Sequence, residues 1–150
     1  MISKPDTGLG VKGILVKRNQ VLVLQKVNGM SDLPGGKVEP GESLEDALIR
    51  EISEETRLTV EIKAPIYSWS FIKDGKSLIK GWTFLCLYKS GEVILSSEHT
   101  KHWWSKLDRL DQIPLNRYVG QMTSGKILAP AFSQKSLEKG VDPHAGFHWA

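Results

Sequence analysis

Three glutamates, Glu51, Glu54 and Glu55, lie within five consecutive residues. Their i, i+3, i+4 spacing places the three carboxylates within an arc of about 100° if the segment is helical. Like charges at this spacing destabilise an isolated helix. We therefore expect a positive charge or a cation beside them.

Arg50 is the only basic residue of the segment that carries these glutamates. A guanidinium binds one carboxylate bidentately, so we expect Arg50 to neutralise one acid at most. A divalent cation would satisfy the others, and carboxylates without a matching Cys or His pair favour Mg²⁺ or Mn²⁺ over Zn²⁺. A solvated acidic helix face explains the three glutamates equally well, so the cluster alone leaves both interpretations open.

Charge is distributed unevenly around this cluster. Residues 39–61 include eight acidic residues against Arg50 and Arg57, whereas the chain as a whole has 20 Lys and Arg, 17 Asp and Glu, and a net charge of +3. An acidic stretch within basic surroundings suggests a cation together with a phosphate. A nucleic-acid-binding protein is disfavoured, because Lys and Arg form no concentrated stripe with interleaved aromatic side chains.

The glutamates fall in a predicted helix from Leu44 to Thr56, which Ser43 caps and in which Asp46 is the third residue. A Gly- and Pro-rich loop is predicted before it, at 28–40. Hydrophobic patterning and turn residues predict strands at 11–16, 21–27, 58–62, 65–72, 77–88 and 102–104, with a hairpin turn at 73–76. One or two helices are expected after residue 106, interrupted at Pro114 and Pro130, and the tail 140–150 is expected to be loosely held.

Length and composition favour one α/β (α+β) domain over residues 1–150, packed in layers. No apolar run reaches the roughly 18–20 residues of a membrane span, and Pro5 and Asp6 do not suit a signal peptide. The single Cys86 can form neither an intramolecular disulfide nor a cysteine metal cluster. We therefore expect a cytoplasmic protein without a membrane partner.

A longer pattern contains the glutamates. The stretch from Gly36 to Leu58 resembles the Nudix box of Nudix hydrolases at eight of nine specified positions. The matching residues are Gly36, Glu42, Arg50, Glu51, Ile52, Glu54, Glu55 and Leu58. Arg57 stands where the family has Gly, just beyond the helix end, where a left-handed residue is often needed. If that conformation is kept, Arg57 costs about 1–2 kcal/mol.

The resemblance implies an α/β/α sandwich with a mixed β-sheet. By position, Arg50 would orient the catalytic helix, and Glu51, Glu54 and Glu55 would supply metal ligands, with the catalytic base among these glutamates. The Gly35 carbonyl would be a further ligand. Many family members add a glutamate from a later loop, for which Glu98 is the candidate. The cofactor would be Mg²⁺, with Mn²⁺ as an alternative.

The implied reaction is hydrolysis of a diphosphate linkage in a nucleoside diphosphate joined to another moiety. We favour a nucleoside triphosphate, including oxidised forms removed by house-cleaning enzymes, cleaved to the monophosphate and pyrophosphate. An ADP-ribose or nucleotide-sugar pyrophosphatase and a non-catalytic nucleotide sensor remain alternatives, although a full set of metal and base residues disfavours the sensor. The partner would be a small nucleotide, no stable nucleic acid partner is expected, and the family resemblance allows a homodimer.

Several other residues have two interpretations. Lys37 and Lys12 could contact outer phosphates or be solvated surface lysines. Trp69, Phe71 and Trp82 could stack on a nucleobase or pack within the sheet. His99 and His102 lack an acidic partner on a helix, so they are poor zinc candidates. Alternation predicts that Trp103 and Trp104 place one ring in the core and one outside it.

Overall fold

The computed structural model describes residues 7–115 and Tyr118. The elements in chain order are β1 (Thr7–Lys17), β2 (Gln20–Lys26), β3 (Ser31–Asp32), β4 (Gly35–Lys37), α1 (Leu44–Thr56), β5 (Thr59–Lys73), β6 (Ser77–Ser90), β7 (His99–Lys106) and a 3₁₀ helix (Leu107–Gln112). The predicted bounds of α1 are confirmed. Ser43 Oγ accepts the Asp46 N–H at 3.1 Å, as the predicted cap requires.

The strands depart from prediction where pairing, not local sequence, sets their ends. The predicted loop 28–40 contains β3 and β4, which pair with β2 and β1. The two strands predicted at 58–62 and 65–72 form one strand, β5, whose pairing with β6 shifts register around Ile62 and Pro65. The last strand begins at His99, earlier than predicted, because β7 pairs with the whole of β2.

All described strands belong to one seven-stranded sheet. Its main order is β3-β2-β1-β6-β5, with β4 also on β1 and β7 also on β2. β1 and β6 run parallel over Thr7–Val16, and the other pairs are antiparallel. The predicted α+β class with a mixed sheet is thereby confirmed.

The sheet has an apolar cluster on each face. On one face α1 packs through Ala47, Leu48 and Ile52 against Phe84 and Cys86. The opposite face carries a second cluster, in which strand residues pack with Leu110 and Leu115 from the 3₁₀ helix and the segment after it. Helical segments therefore cover both faces of the sheet.

The end of the described chain matches part of the prediction. Trp104 packs against the helix-side cluster and Trp103 is exposed, as alternation predicted. The first predicted C-terminal helix is the short 3₁₀ helix, and the predictions for Pro130 and the tail 140–150 lie outside the described residues. No helix in the described part of the chain is long and apolar enough to cross a membrane.

Candidate active site

Arg50 joins the polar face of α1 to the loop before it. Its Nε and Nη2 donate to the two carboxylate oxygens of Glu42, at 2.7 and 3.0 Å, and Nη2 also donates to the Lys37 carbonyl at 3.0 Å. Nη1 lies 3.0 Å from Glu51 and 3.3 Å from Glu54. The hydrogen bonds that Arg50 donates to Glu42 lower the pKa of Glu42 to about 2.

Arg50 therefore contacts more carboxylates than the single one expected from the sequence. Its bidentate partner, Glu42, precedes the helix, and the same guanidinium also contacts two helix carboxylates. A planar fork with five N–H donors can serve several acceptors at once. Arg50 consequently fixes the loop and the glutamates relative to one another.

Glu51 is held against the start of the Nudix-like segment. Its side chain is 16% exposed, and burial raises its pKa even though Arg50 acts in the opposite direction. A Cβ on Gly36 would lie 2.6 Å from the Glu51 carboxyl carbon. Only glycine leaves room for that carboxylate, which gives a steric reason for Gly36.

Glu55 is the most deeply buried of the helix glutamates, with 3% exposed. Its Oε1 accepts the Gly35 N–H at 2.7 Å. Burial raises the pKa of Glu55 to about 7. Gly35 has a φ of 141°, and a Cβ there would lie 2.1 Å from the Val11 carbonyl oxygen, so glycine is required where the backbone meets this carboxylate.

Glu98 approaches the helix from the segment before β7. One ligand atom each from Glu55, Glu98 and His99 lie within 4.8 Å of one another. Glu98 is exposed, whereas the other two side chains are buried. The structure thus brings the Glu98 carboxylate close to Glu55 of α1.

A buried polar chain continues from Glu55 through the sheet. His99 Nδ1 lies 3.5 Å from Glu55 Oε2, and His99 Nε2 lies 3.2 Å from Asp32 Oδ2. Lys12 Nζ lies 3.0 Å from Asp32 Oδ1. Burial alone would raise the pKa of Asp32, but the hydrogen bond from His99 and the charge of Lys12 lower it.

This row of buried polar residues corrects two interpretations of the sequence. Lys12 is not a surface lysine: it is 8% exposed, and its ammonium is bound by Asp32 and the Leu33 carbonyl. His99 does have acidic partners, Asp32 and Glu55, while His102 is exposed. The sequence held one sign of a buried polar site, namely that Lys12 lies within the apolar run 11–16. Nothing in the sequence marked Asp32 as part of that site.

A cavity of about 640 Å³ opens on the sheet face opposite α1. One row of paired residues crosses four strands beneath it, in the order Lys37, Gly10, Gly81 and Trp69. The two glycines leave the sheet surface bare there, and the Trp69 indole lies on them. The cavity is lined by Thr7, Gly8, Leu9, Gly10, Lys12, Lys26, Gly36, Lys37, Trp69, Phe71, Lys73, Ser77, Ile79 and Tyr118.

The aromatic floor of the cavity is held rigidly. Trp69 Nε1 donates to Thr83 Oγ1 at 3.0 Å. The Phe71 ring stacks beside the indole at 5.8 Å, and the Tyr118 ring meets it edge-on at 5.2 Å. None of the described lining residues is Asp, Glu, Asn or Gln. The described lining therefore offers a ring platform and ammonium groups, and it holds no carboxylate that would repel an anion.

The predicted substrate residues divide between the two faces. Lys37, Trp69 and Phe71 line the cavity, and so does Gly36, whose Cβ position faces the Glu51 carboxylate. Trp82 follows Gly81 on β6, so its side chain points to the other face and packs against the helix-side cluster. Trp82 therefore does not line this cavity.

The chain is similar to proteins of one family over most of its length. The family model described as NUDIX domain matches residues 6–123. An uncharacterised Nudix hydrolase of Bacillus subtilis is 33% identical over 109 residues, which are 68% of each chain. An ADP-ribose pyrophosphatase of Methanocaldococcus jannaschii is 43% identical over 60 residues, 37% of this chain and 36% of that protein.

A solved structure has a similar fold. The crystal structure of a MutT protein from Methanosarcina mazei Go1 matches with a TM-score of 0.73 and 25% identity, covering 89% of this chain and 100% of that one. The family model, the relatives and the fold agree with the resemblance of Gly36–Leu58 to the Nudix box. The chain therefore belongs to the NUDIX domain family and is a Nudix hydrolase.

Proposed function

We propose that this protein hydrolyses the diphosphate linkage of a nucleoside triphosphate, with Mg²⁺ as cofactor, and releases the nucleoside monophosphate and pyrophosphate. One observation carries the proposal. Gly36 borders both parts of the site, because it lines the aromatic, lysine-lined cavity and its Cβ position faces the Glu51 carboxylate. A nucleotide with its ring at Trp69 would thus direct its phosphates towards the glutamates.

The donor set fits a hard divalent cation. Glu51, Glu55 and Glu98 offer carboxylate oxygens, Gly35 offers its carbonyl, and Mg²⁺ and Mn²⁺ both accept such ligands. The pKa values of Glu51 and Glu55 are raised because burial outweighs the nearby positive charges, Arg50 for Glu51 and Lys12 for Glu55, and a bound cation would add to those charges. When bound, such ions offset phosphate charge and lower the pKa of a coordinated water.

The remaining polar residues then have distinct roles. Arg50 keeps Glu51 and Glu54 in place through its contacts with both carboxylates. The Glu54 side chain is 58% exposed, and its contacts with Arg50 are long, at 3.3 and 3.4 Å, so it can turn towards a water molecule and accept its proton. Lys37, exposed at the cavity edge, would contact an outer phosphate.

The cavity lining favours a highly charged nucleotide. All charged residues among its described lining are lysines: Lys12, Lys26, Lys37 and Lys73. Because Asp32 already pairs with Lys12, the other three ammonium groups are the ones that can attract the substrate. A triphosphate carries more negative charge than ADP-ribose, so this lining favours the triphosphate.

ADP-ribose is the second candidate, because the cavity is long. Trp69, Phe71 and Lys73 line it along β5, and the rise of a strand puts the first and last of these about 13 Å apart. That length admits a second sugar beyond the base. One relative at 43% identity is an ADP-ribose pyrophosphatase.

A substrate panel separates these candidates. Nucleoside triphosphates, including oxidised purine forms, ADP-ribose, NADH and dinucleoside polyphosphates are incubated with Mg²⁺, and products are identified by chromatography. We expect monophosphate and pyrophosphate from a triphosphate. Glu54→Gln should lower the rate about 100-fold or more, while Glu45→Gln, at an exposed glutamate in the first turn of α1, should leave it unchanged.

Two results would overturn the proposal. Turnover of ADP-ribose alone would make the protein an ADP-ribose pyrophosphatase. No turnover of any compound, with nucleotide binding retained, would indicate a sensor.

A further inference from the structure

His99 is buried beside the helix glutamates, with 6% exposed. Its Nε2 lies 3.2 Å from Asp32 Oδ2. Its Nδ1 lies 3.5 Å from Glu55 Oε2 and has no hydrogen-bond partner among the described residues. A buried ring nitrogen without a hydrogen bond calls for an explanation, since nearly all buried polar groups are satisfied.

The hydrogen bond to Asp32 fixes the tautomer of the ring. Asp32 also accepts from the Lys12 ammonium, so it is an ionised carboxylate that can only accept. His99 Nε2 must therefore carry the proton and donate it to Asp32. In the neutral ring, the lone pair is then on Nδ1, on the side of Glu55 and Glu98.

A cation bound between His99 Nδ1 and Glu55 Oε2, which lie 3.5 Å apart, would give this buried nitrogen a partner. Two ligand atoms that each lie about 2.1 Å from one ion, at angles of 90–110°, are about 3.0–3.5 Å apart. The separation of His99 Nδ1 and Glu55 Oε2 is at the upper end of this interval. The exposed Glu98, within 4.8 Å, can supply a third ligand atom.

We propose that His99 Nδ1, Glu55 and Glu98 form a mixed nitrogen and oxygen metal position that prefers Mn²⁺ to Mg²⁺. Asp32 orients the imidazole, as carboxylates do behind metal-binding histidines. Imidazole nitrogen binds first-row transition ions well, whereas Mg²⁺ prefers oxygen. The inference rests on the proposed function only in that both assign Glu55 and Glu98 to a metal.

Pulsed electron paramagnetic resonance of bound Mn²⁺ tests the nitrogen ligand directly. The full chain is titrated from below one to above three equivalents of Mn²⁺, with histidine at natural abundance and with ¹⁵N-histidine. We expect a nitrogen coupling that changes with the isotope. His99→Gln should abolish it, because glutamine can still donate to Asp32 from the Nε2 position but has no atom equivalent to Nδ1.

His102→Gln is the matched control, since His102 is an exposed histidine of the same strand, and the coupling should persist there. No nitrogen coupling in the wild type at any occupancy would overturn the proposal. So would a coupling that survives in His99→Gln. The first of these outcomes requires no variant to fold.

Metal competition gives a second readout. His99→Gln should weaken Mn²⁺ binding at least about tenfold and change Mg²⁺ binding less than twofold, and equal losses for both ions would overturn the preference. The two proposals fail differently. Mg²⁺-dependent hydrolysis without a nitrogen coupling refutes only the mixed metal position, whereas a coupling without hydrolysis refutes only the proposed function.

Discussion

Arg57 is the one departure from the Nudix box, and the structure makes its cost measurable. It ends α1 with φ 64° and ψ 12°, in the left-handed region, and its N–H bonds the Ser53 carbonyl at 2.9 Å. This conformation costs a residue with a Cβ about 1–2 kcal/mol, a strain that glycine does not bear. The Arg57 side chain is exposed. Arg57→Gly should therefore stabilise the fold.

The net gain is smaller than the strain. Glycine also gains freedom in the unfolded chain, which offsets about 0.5–1 kcal/mol of the relief. The expected increase in the free energy of unfolding is therefore about 0.5–1 kcal/mol. For a chain of this size, that raises Tm by about 1–4 °C.

Arg57→Ala is the matched control, because it removes the same side chain and keeps a Cβ in the left-handed conformation. Both variants are measured by thermal and urea unfolding beside the wild type. We expect Arg57→Gly to be more stable than Arg57→Ala, and Arg57→Ala to be no more stable than the wild type. Equal stability of the two variants would refute the assignment of strain to this backbone position.

Three further predictions concern the site. Trp69→Ala should raise KM about tenfold or more, because a base stack is worth about 1–3 kcal/mol, while Trp103→Ala should leave the steady-state kinetics unchanged. Arg50→Lys should lower kcat/KM about tenfold or more in the same assay, since an ammonium cannot hold Glu42 bidentately. Burial raises the pKa of Glu55 from 4.5 in the unfolded chain to about 7, so the unfolded chain loses this proton first as the pH rises. Urea unfolding of the metal-free protein should therefore show stability falling as the pH rises from 4.5 to about 7.

Local signals explain why α1 was predictable from sequence. A capping serine and apolar residues at helical spacing act within one segment, and the glutamates of the site lie on that same segment. The ends of the strands were less predictable, because they depend on partners far along the chain. β7 extends back to His99 only because β2 offers it a full edge.

The buried polar residues could not be predicted from the sequence for the same reason, because their contacts depend on strand pairing between distant segments. Asp32 and His99 are 67 residues apart, and they meet because β3 and β7 both pair with β2. The face of the sheet on which Trp82 lies was not predictable for a related reason. Register shifts in β5 prevented any inference of which β6 residue lies opposite Trp69, and that residue is Gly81.

Cleavage by the α1 carboxylates should depend on a divalent metal, and this dependence can be measured directly. The rate of monophosphate release from the best substrate is measured after metal removal and across a Mg²⁺ titration, for the wild type and Glu51→Gln. We predict no cleavage without metal, saturable activation by Mg²⁺ in the wild type, and a rate at least about 100-fold lower for Glu51→Gln at every concentration. Cleavage at an undiminished rate in excess chelator would show that hydrolysis needs no divalent metal at these carboxylates.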